Sequence, residues 1–145
     1  MTKKTFGTAL VIGASRGLGL ELVRQLLAAG SRVIATVRTA EARAALQTLG
    51  AEVLTLDVAD PASVGGLARQ LGGEPFDLAF YVAGVMRRMG ATTPPTQQDF
   101  DAVMHANVLG AMQTLPQVTP LVESAGGVFA FMSSSMSQIG SVPAS

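Results

Sequence analysis

Three glycines, at positions 13, 17 and 19, are the residues of this 145-residue chain whose spacing points most directly to chemistry. Glycine has no Cβ atom, so its backbone can turn sharply and lie against a phosphate group. The apolar, partly β-branched segment 8–12 has the character of a strand. Apolar residues after the glycines recur at helical spacing, at Leu22, Val23, Leu26 and Leu27. A glycine turn between a strand and a helix N-terminus is typical of a dinucleotide diphosphate site, although an ordinary turn in an unrelated doubly wound domain has the same elements.

Two arginines lie where a further phosphate of such a cofactor would be bound. An acidic residue near the end of the second strand binds the ribose 2′-OH of NAD, whereas a nearby arginine accommodates the 2′-phosphate of NADP. Val37 stands at the expected acidic position, Arg38 follows it, and Arg16 lies inside the glycine turn. The sequence therefore predicts NADP, with NAD as the alternative cofactor. The plainer explanation of both arginines is a solvated surface position.

Strand-like and helix-like segments alternate along the chain, and these elements must bring the candidate residues together. Apolar strands are predicted at residues 8–12, 32–37, 52–56, 77–82 and 127–132. Helices are predicted from the glycine turn to Gly30, over 40–49, over 60–71 with Asp60 as N-cap, and over 97–123 with a bend or an interruption near Pro116 and Pro120. Strands that are apolar on both faces indicate a covered parallel sheet. We expect an α/β, Rossmann-type doubly wound sheet in three layers, forming a single NAD(P)-binding domain over 1–145.

Composition argues against several other classes of protein. Apolar residues make up 48% of the chain and the formal net charge is zero, which excludes disorder and disfavours nucleic-acid binding. Cysteine is absent and the only histidine, His105, has no metal-ligand spacing, so no metal site is expected. The longest apolar stretch, Leu78–Met86, is far shorter than the roughly 20 residues of a spanning helix. We expect no nucleic-acid or membrane partner and a cytoplasmic location.

Five short motifs follow one another along nearly all of the chain. They are the turn Leu10–Gly19, the pair Asp57-Val58 after the third strand, Tyr81-Val82-Ala83-Gly84 at the end of the fourth strand, Asn107-Val108-Leu109-Gly110, and Ser133-Ser134-Ser135 after the fifth strand. In this order they resemble the motifs of the short-chain dehydrogenase/reductase family, in which Asn-Asn-Ala-Gly stands in place of Tyr81-Val82-Ala83-Gly84. The small bacterial C-factor-like and carbonyl-reductase-like members are the most similar.

The resemblance implies a role for each matching residue. The cofactor-binding residues would be Gly13, Ser15, Arg16, Gly17, Leu18, Gly19, Arg38, Asp57, Val58, Ala83 and Gly84. Asp57 would hold the adenine amino group, or else only cap a turn. Asn107 would kink its helix and hold a water in a proton relay, or else be an exposed polar residue. Ser134 would be catalytic by polarising the substrate carbonyl, with Ser133 or Ser135 as the alternatives if the register slips, and a hydroxyl-capped loop as the plainer explanation.

Two departures from the family pattern matter. Tyr81 and Val82 replace both asparagines of the strand-four motif, so the polar network there must differ. The Tyr-x-x-x-Lys motif is missing: Tyr81 is the only tyrosine, and the family spacing counted from Ser134 ends just past Ser145. An unpaired apolar fifth strand would also be an unprotected sheet edge. We therefore expect a domain that is incomplete at its C-terminus.

These features predict an oxidoreductase that transfers a hydride between NADP(H) and a small carbonyl or alcohol substrate. The resemblance implies that a complete protein would add a tyrosine as general acid/base and a lysine that lowers its pKa. It also implies a homodimer or homotetramer. The alternative is a non-enzymatic, nucleotide-binding regulatory or scaffold protein with the same fold. A flavodoxin-type or signalling α/β domain is a weaker third possibility.

Overall fold

The structure, a computed structural model, describes residues 5–86 and 92–134. In chain order its first elements are β1 (Thr8–Ile12), α1 (Gly17–Ala28), β2 (Arg32–Val37), α2 (Ala40–Leu49) and β3 (Glu52–Thr55). These are followed by α3 (Pro61–Gly65), α4 (Leu67–Leu71), β4 (Leu78–Tyr81), α5 (Gln97–Met104), a π-helical turn (His105–Leu109), α6 (Gly110–Ser124) and β5 (Val128–Phe131).

The strands form one parallel sheet in the order β3-β2-β1-β4-β5. The chain moves outward from β1 to β3 and then crosses back to place β4 on the other side of β1. This reversal is the switch point at which doubly wound sheets bind ligands. Ile12 at the end of β1 is level with Thr36 in β2 and with Tyr81 in β4. The carboxyl ends of the three strands therefore meet, and the predicted doubly wound fold is confirmed.

Two apolar cores, one on each face of the sheet, make the fold three-layered. Leu10 and Ile12 point into a core that also contains Phe76 and Val118, beneath α3, α4 and α6. Val11 points to the opposite core, beneath α1 and α2. Successive side chains of a strand alternate between faces, so a strand covered on both sides must be apolar throughout. This explains why β1 shows no polar alternation.

Most predicted elements are present, with some differences at their ends. The strands predicted at 52–56, 77–82 and 127–132 are each one or two residues shorter. Asp60 is the expected N-cap, since its side chain accepts a hydrogen bond from the amide of Ala62 at 3.0 Å. The prediction of one helix over 60–71 was wrong, because the helix divides at Gly66 into α3 and α4.

The interruption predicted as one possibility near Pro116 and Pro120 is not observed. Helix α6 continues through both prolines, and the irregular turn lies earlier, at His105–Leu109. Both prolines are on the exposed side of α6. Helical hydrogen bonds on the solvent side are already lengthened by curvature, and water satisfies the carbonyls there, so a missing N–H is tolerated.

Gln117 of α6 explains the division between α3 and α4. In a continuous helix the amide of Ala68 would donate to the carbonyl of Val64. Instead, Gln117 Oε1 accepts from the Ala68 amide at 3.0 Å, and Gln117 Nε2 donates to the Val64 carbonyl at 2.7 Å. A side-chain amide therefore stands in place of one helical hydrogen bond, and it ties both short helices to α6.

We expect Gln117→Ala to lower the free energy of unfolding by about 1 kcal/mol, because it removes both hydrogen bonds at a site that water can partly reach. Urea denaturation measures this difference. The matched control is Gln47→Ala on the exposed surface of α2, where a change near zero is expected. Equal effects of the two substitutions would contradict the bridging role of Gln117.

Candidate cofactor site

A cavity of about 500 Å³ lies at the carboxyl ends of β1, β2 and β4. It collects every predicted cofactor residue except Gly19, namely Gly13, Ser15, Arg16, Gly17, Leu18, Arg38, Asp57, Val58, Ala83 and Gly84. These residues come from four separate loops that the sheet brings together. A concave site assembled at the switch point of a doubly wound sheet is where a ligand is expected.

The glycine turn is built by close backbone approaches. Gly13 has a φ of +92°, and a Cβ placed on it would lie 2.6 Å from the backbone of Ala83. A Cβ on Gly19 would lie 2.0 Å from the carbonyl oxygen of Gly13, which explains why Gly19 is buried beneath the turn instead of lining the cavity. Gly17 has open space around it, but its φ of +58° is in the left-handed region. Each of the three positions therefore requires glycine for a different physical reason.

The N-terminus of α1 presents backbone amides without helical acceptors. The first i→i−4 hydrogen bond of this helix runs from the amide of Leu20 to the carbonyl of Arg16, at 3.4 Å. The preceding amides in the first turn have no partner within the helix. Arg16 is the N-cap residue and its side chain makes no capping hydrogen bond. An uncapped helix N-terminus with its partial positive charge favours an anion, above all a phosphate.

Arg16 and Arg38 bring two positive charges to the rim of this cavity, and both are exposed. Neither side chain has an ion pair or a hydrogen bond with residues 5–86 or 92–134. Arg32, at the opposite end of β2, is instead paired with Glu52 and Glu74. The arginines at the cavity therefore keep their guanidinium groups available for an anionic ligand.

Asp57 is held rigidly on the cavity wall after β3. Its amide donates to the hydroxyl of Ser63 at 3.0 Å, and its Oδ1 accepts from the amide of Ala59 at 3.0 Å. The turn-capping role that the sequence left open is thus present. The carboxylate also lines the cavity, so the same residue lies where a ligand would meet it.

Asn107 holds the loop that follows β4. Its Oδ1 accepts from the amide of Val85 at 2.7 Å, and its Nδ2 donates to the carbonyl of Val85 at 2.8 Å. Asn107 lies within the π-helical turn, so a helix irregularity is present where the resemblance implied a kink. Asn107 does not line the cavity itself, but Val85 and Gly84 do. The structure therefore shows a backbone clamp at this position.

Tyr81 replaces an asparagine of the family motif and is buried, with 4% of its surface exposed. Its hydroxyl donates to the carbonyl of Ala106 in the π-helical turn at 3.3 Å. Gly110 leaves room for this hydroxyl, since a Cβ there would lie 3.1 Å from it. Burial raises the pKa of Tyr81 to about 12. The phenol is thus a structural donor, and it is unsuited to proton transfer near neutral pH.

The two described serines after β5 are not part of the cavity wall. Ser133 and Ser134 are exposed and do not line the cavity, and Ser135 lies outside the described residues. The choice of Ser134 as the catalytic serine therefore stays a prediction. Thr36 is a residue that sequence reasoning missed: it lines the cavity and its hydroxyl accepts from the amide of Gly13 at 3.1 Å. The available signal was a threonine near the end of a strand that is apolar from Val33 onward, because buried polar groups need partners.

No helix within residues 5–86 and 92–134 has the length and apolar character needed to cross a bilayer. In the same ranges, no group of three or more His, Asp or Glu side chains is arranged to hold a metal ion.

Comparison with known proteins agrees with this geometry. Residues 7–145 match the family model described as short chain dehydrogenase. The NADPH-dependent pterin aldehyde reductase of Arabidopsis thaliana is 33% identical over 123 residues, which are 79% of this chain and 50% of that protein. Bovine carbonyl reductase [NADPH] 1 is 32% identical over 131 residues, 83% of this chain and 46% of that one.

A solved structure shows the same fold. A Burkholderia multivorans protein, described as a short-chain dehydrogenase/reductase and solved with NADP bound, has a TM-score of 0.84 and 29% sequence identity to this chain. The alignment covers 97% of this chain and 64% of that one. The chain belongs to the short-chain dehydrogenase/reductase family, whose members are oxidoreductases. It spans about half the length of the plant and bovine relatives.

The burial of Tyr81 gives a prediction that needs no ligand. Tyr81 is the only tyrosine and tryptophan is absent, so near-ultraviolet phenolate absorbance reports this residue alone. We expect its pKa in the folded protein to be about 12, against 10.0 for an unperturbed tyrosine. Because the folded-state pKa is the higher one, the unfolded state loses its proton first. The stability that the protonated phenol contributes is therefore complete below pH 10 and is lost between pH 10 and about 12.

Tyr81→Phe is the control, since it should lack this alkaline loss of stability. Circular dichroism at each pH establishes that the protein is still folded. A phenol that titrates near its ordinary pKa in the folded protein would contradict the burial and the hydrogen bond to Ala106.

Proposed function

We propose that this chain binds NADP(H) and belongs to an enzyme that transfers a hydride between the nicotinamide and a small carbonyl or alcohol substrate. The observation that carries the proposal is the uncapped N-terminus of α1, which opens onto a cavity flanked by Arg16 and Arg38. Backbone amides and a helix dipole suit a diphosphate, and the two guanidinium groups suit a further phosphate. The names of the plant and bovine relatives, which include NADPH, support this choice.

Each part of the cavity suits one part of the cofactor. The diphosphate would lie on the amides of the glycine turn, and the 2′-phosphate would lie against Arg38, since Val37 places no carboxylate there. Asp57 and Val58 would contact the adenine. The loop of Ala83 and Gly84, held by Asn107, would line the path toward the nicotinamide. This assignment extends the family's pattern to residues that share one cavity here.

Bound NADPH would supply a hydride to the carbonyl carbon of the substrate. Ser134 would donate a hydrogen bond to the carbonyl oxygen and so stabilise the negative charge that develops on it. The proton would come from a tyrosine assisted by a lysine, as the resemblance implies, and Tyr81 is excluded from this role by its burial. The reaction is proposed for the whole protein, since the chain spans about half the length of its relatives. Substrate, oligomeric state and cytoplasmic location stay predictions.

Arg38→Asp tests the cofactor assignment. We expect the Kd for NADPH to rise at least about tenfold more than the Kd for NADH, because a charge-assisted contact worth about 1.5–3 kcal/mol is lost only with the 2′-phosphate. Isothermal titration calorimetry measures both constants. The matched control, Arg69→Asp, changes an exposed arginine of α4 that is not in the cavity wall and should leave both constants unchanged. Equal losses for NADPH and NADH would show that Arg38 does not bind the 2′-phosphate.

Ser134→Ala tests the reaction. In the whole protein we expect kcat for NADPH-dependent reduction of an aldehyde or ketone to fall about 100-fold, since one donor to the developing oxyanion is lost. The KM for NADPH should stay the same. Ser133→Ala and Ser135→Ala, assayed in parallel by NADPH oxidation, determine whether a neighbouring serine holds the role. Full activity in all three variants would rule out a catalytic serine in this segment.

A further inference from the structure

Thr36 is the one buried polar residue of β2, whose only other polar residue, Arg32, is exposed at the opposite end of the strand. It is the penultimate residue of β2, is 1% exposed, and stands level with Ile12 of β1. Its hydroxyl Oγ1 accepts from the amide of Gly13 at 3.1 Å, and its carbonyl accepts from the amide of Ala14 at 2.9 Å. One residue of β2 thus binds both amides with which the glycine turn begins.

The turn needs such an external restraint. Gly13 is in the left-handed region, with a φ of +92°, and glycine reaches this region about as readily as others. The local backbone alone therefore does not select the observed path. The contact of Gly13 with Ala83 limits where the residue can lie, and the hydroxyl of Thr36 determines the direction of its N–H. Since Thr36 is buried, water does not compete for this hydrogen bond.

The direction of the Gly13 amide matters for the residues that follow it. Ser15, Arg16, Gly17 and Leu18 line the cavity. Gly13, which also borders the cavity, and Ala14 direct their amides backward to β2. The turn is thereby divided into a part fixed to the sheet and a part presented to the ligand. A rotated Gly13 peptide would move the second part away from its present position.

We propose that Thr36 is a positioning residue for diphosphate binding, and that it acts through its hydrogen bond to the Gly13 amide. The inference rests on the proposed function, because it assumes that the glycine turn binds the diphosphate of NADP(H). The inference makes a side chain of β2, outside the glycine turn, a determinant of the affinity for NADP(H). The hydroxyl of Thr36 is the group that matters, because it accepts a hydrogen bond. An aliphatic side chain of the same shape cannot accept one.

Three ligands separate this role from general damage to the fold. NADPH and ADP-ribose both contain the diphosphate. Adenosine 2′-monophosphate has no diphosphate. Asp57 would contact its adenine and Arg38 would contact its 2′-phosphate. A change confined to the glycine turn should therefore weaken the first two ligands and spare the third, whereas a disordered cavity would weaken all of them.

The experiment measures the three dissociation constants by calorimetry for the unmodified protein, Thr36→Val and Thr36→Ser. Valine keeps the shape and removes the acceptor, whereas serine keeps the acceptor and removes a methyl group. We expect Thr36→Val to weaken NADPH and ADP-ribose at least about tenfold, the effect of losing one buried hydrogen bond, without changing the affinity for adenosine 2′-monophosphate. Thr36→Ser should bind all three ligands within about threefold of the unmodified protein, on the same basis.

Each other result overturns the inference. Unchanged NADPH affinity in Thr36→Val would show that the hydroxyl does not position the turn. Parallel weakening of adenosine 2′-monophosphate would indicate structural damage, and equal losses in Thr36→Ser would assign the effect to packing. If Thr36→Val does not fold, Thr36→Cys gives the same comparison, because a thiol is a weak acceptor. If the unmodified protein binds none of the ligands, the proposed function itself fails.

Discussion

The site depends on the close approach between the carbonyl oxygen of Gly13 and the backbone of Gly19. A Cβ on Gly19 would lie 2.0 Å from that oxygen, so only glycine lets α1 begin this near to the end of β1. The approach brings the uncapped N-terminus of α1 to the switch point of the sheet. The positive end of α1 therefore lies at the cavity because of this close approach.

Three of the four loops around the cavity share one structural device, since each of the three is held by a polar contact from a neighbouring element. Thr36 of β2 holds the glycine turn, Ser63 of α3 holds the amide of Asp57, and Asn107 of the π-helical turn holds Val85. Tyr81 anchors that π-helical turn in its place. The shape of the cavity thus follows from contacts within the protein, which reduces the ordering that a ligand would otherwise have to impose.

Features that depend on local sequence could be predicted. The apolar strands, the glycine turn and the capping by Asp60 each follow from short-range patterns, and the structure contains them. Features that depend on a residue far away in the sequence could not be predicted. The division at Gly66 arises because Gln117, 51 positions along the chain, replaces a helical hydrogen bond. The continuation of α6 through Pro116 could not be predicted either, because the cost of a proline in a helix depends on its exposure, which is a property of the folded chain.

A crystal structure with NADP bound would test the glycine turn as the diphosphate site. We expect the diphosphate within hydrogen-bonding distance, about 3 Å, of the backbone amides between Ser15 and Leu18, and the 2′-phosphate beside Arg38. Thr36 would still accept from Gly13 in that complex. A nucleotide bound elsewhere, with the glycine turn empty, would show that the turn does not bind the diphosphate.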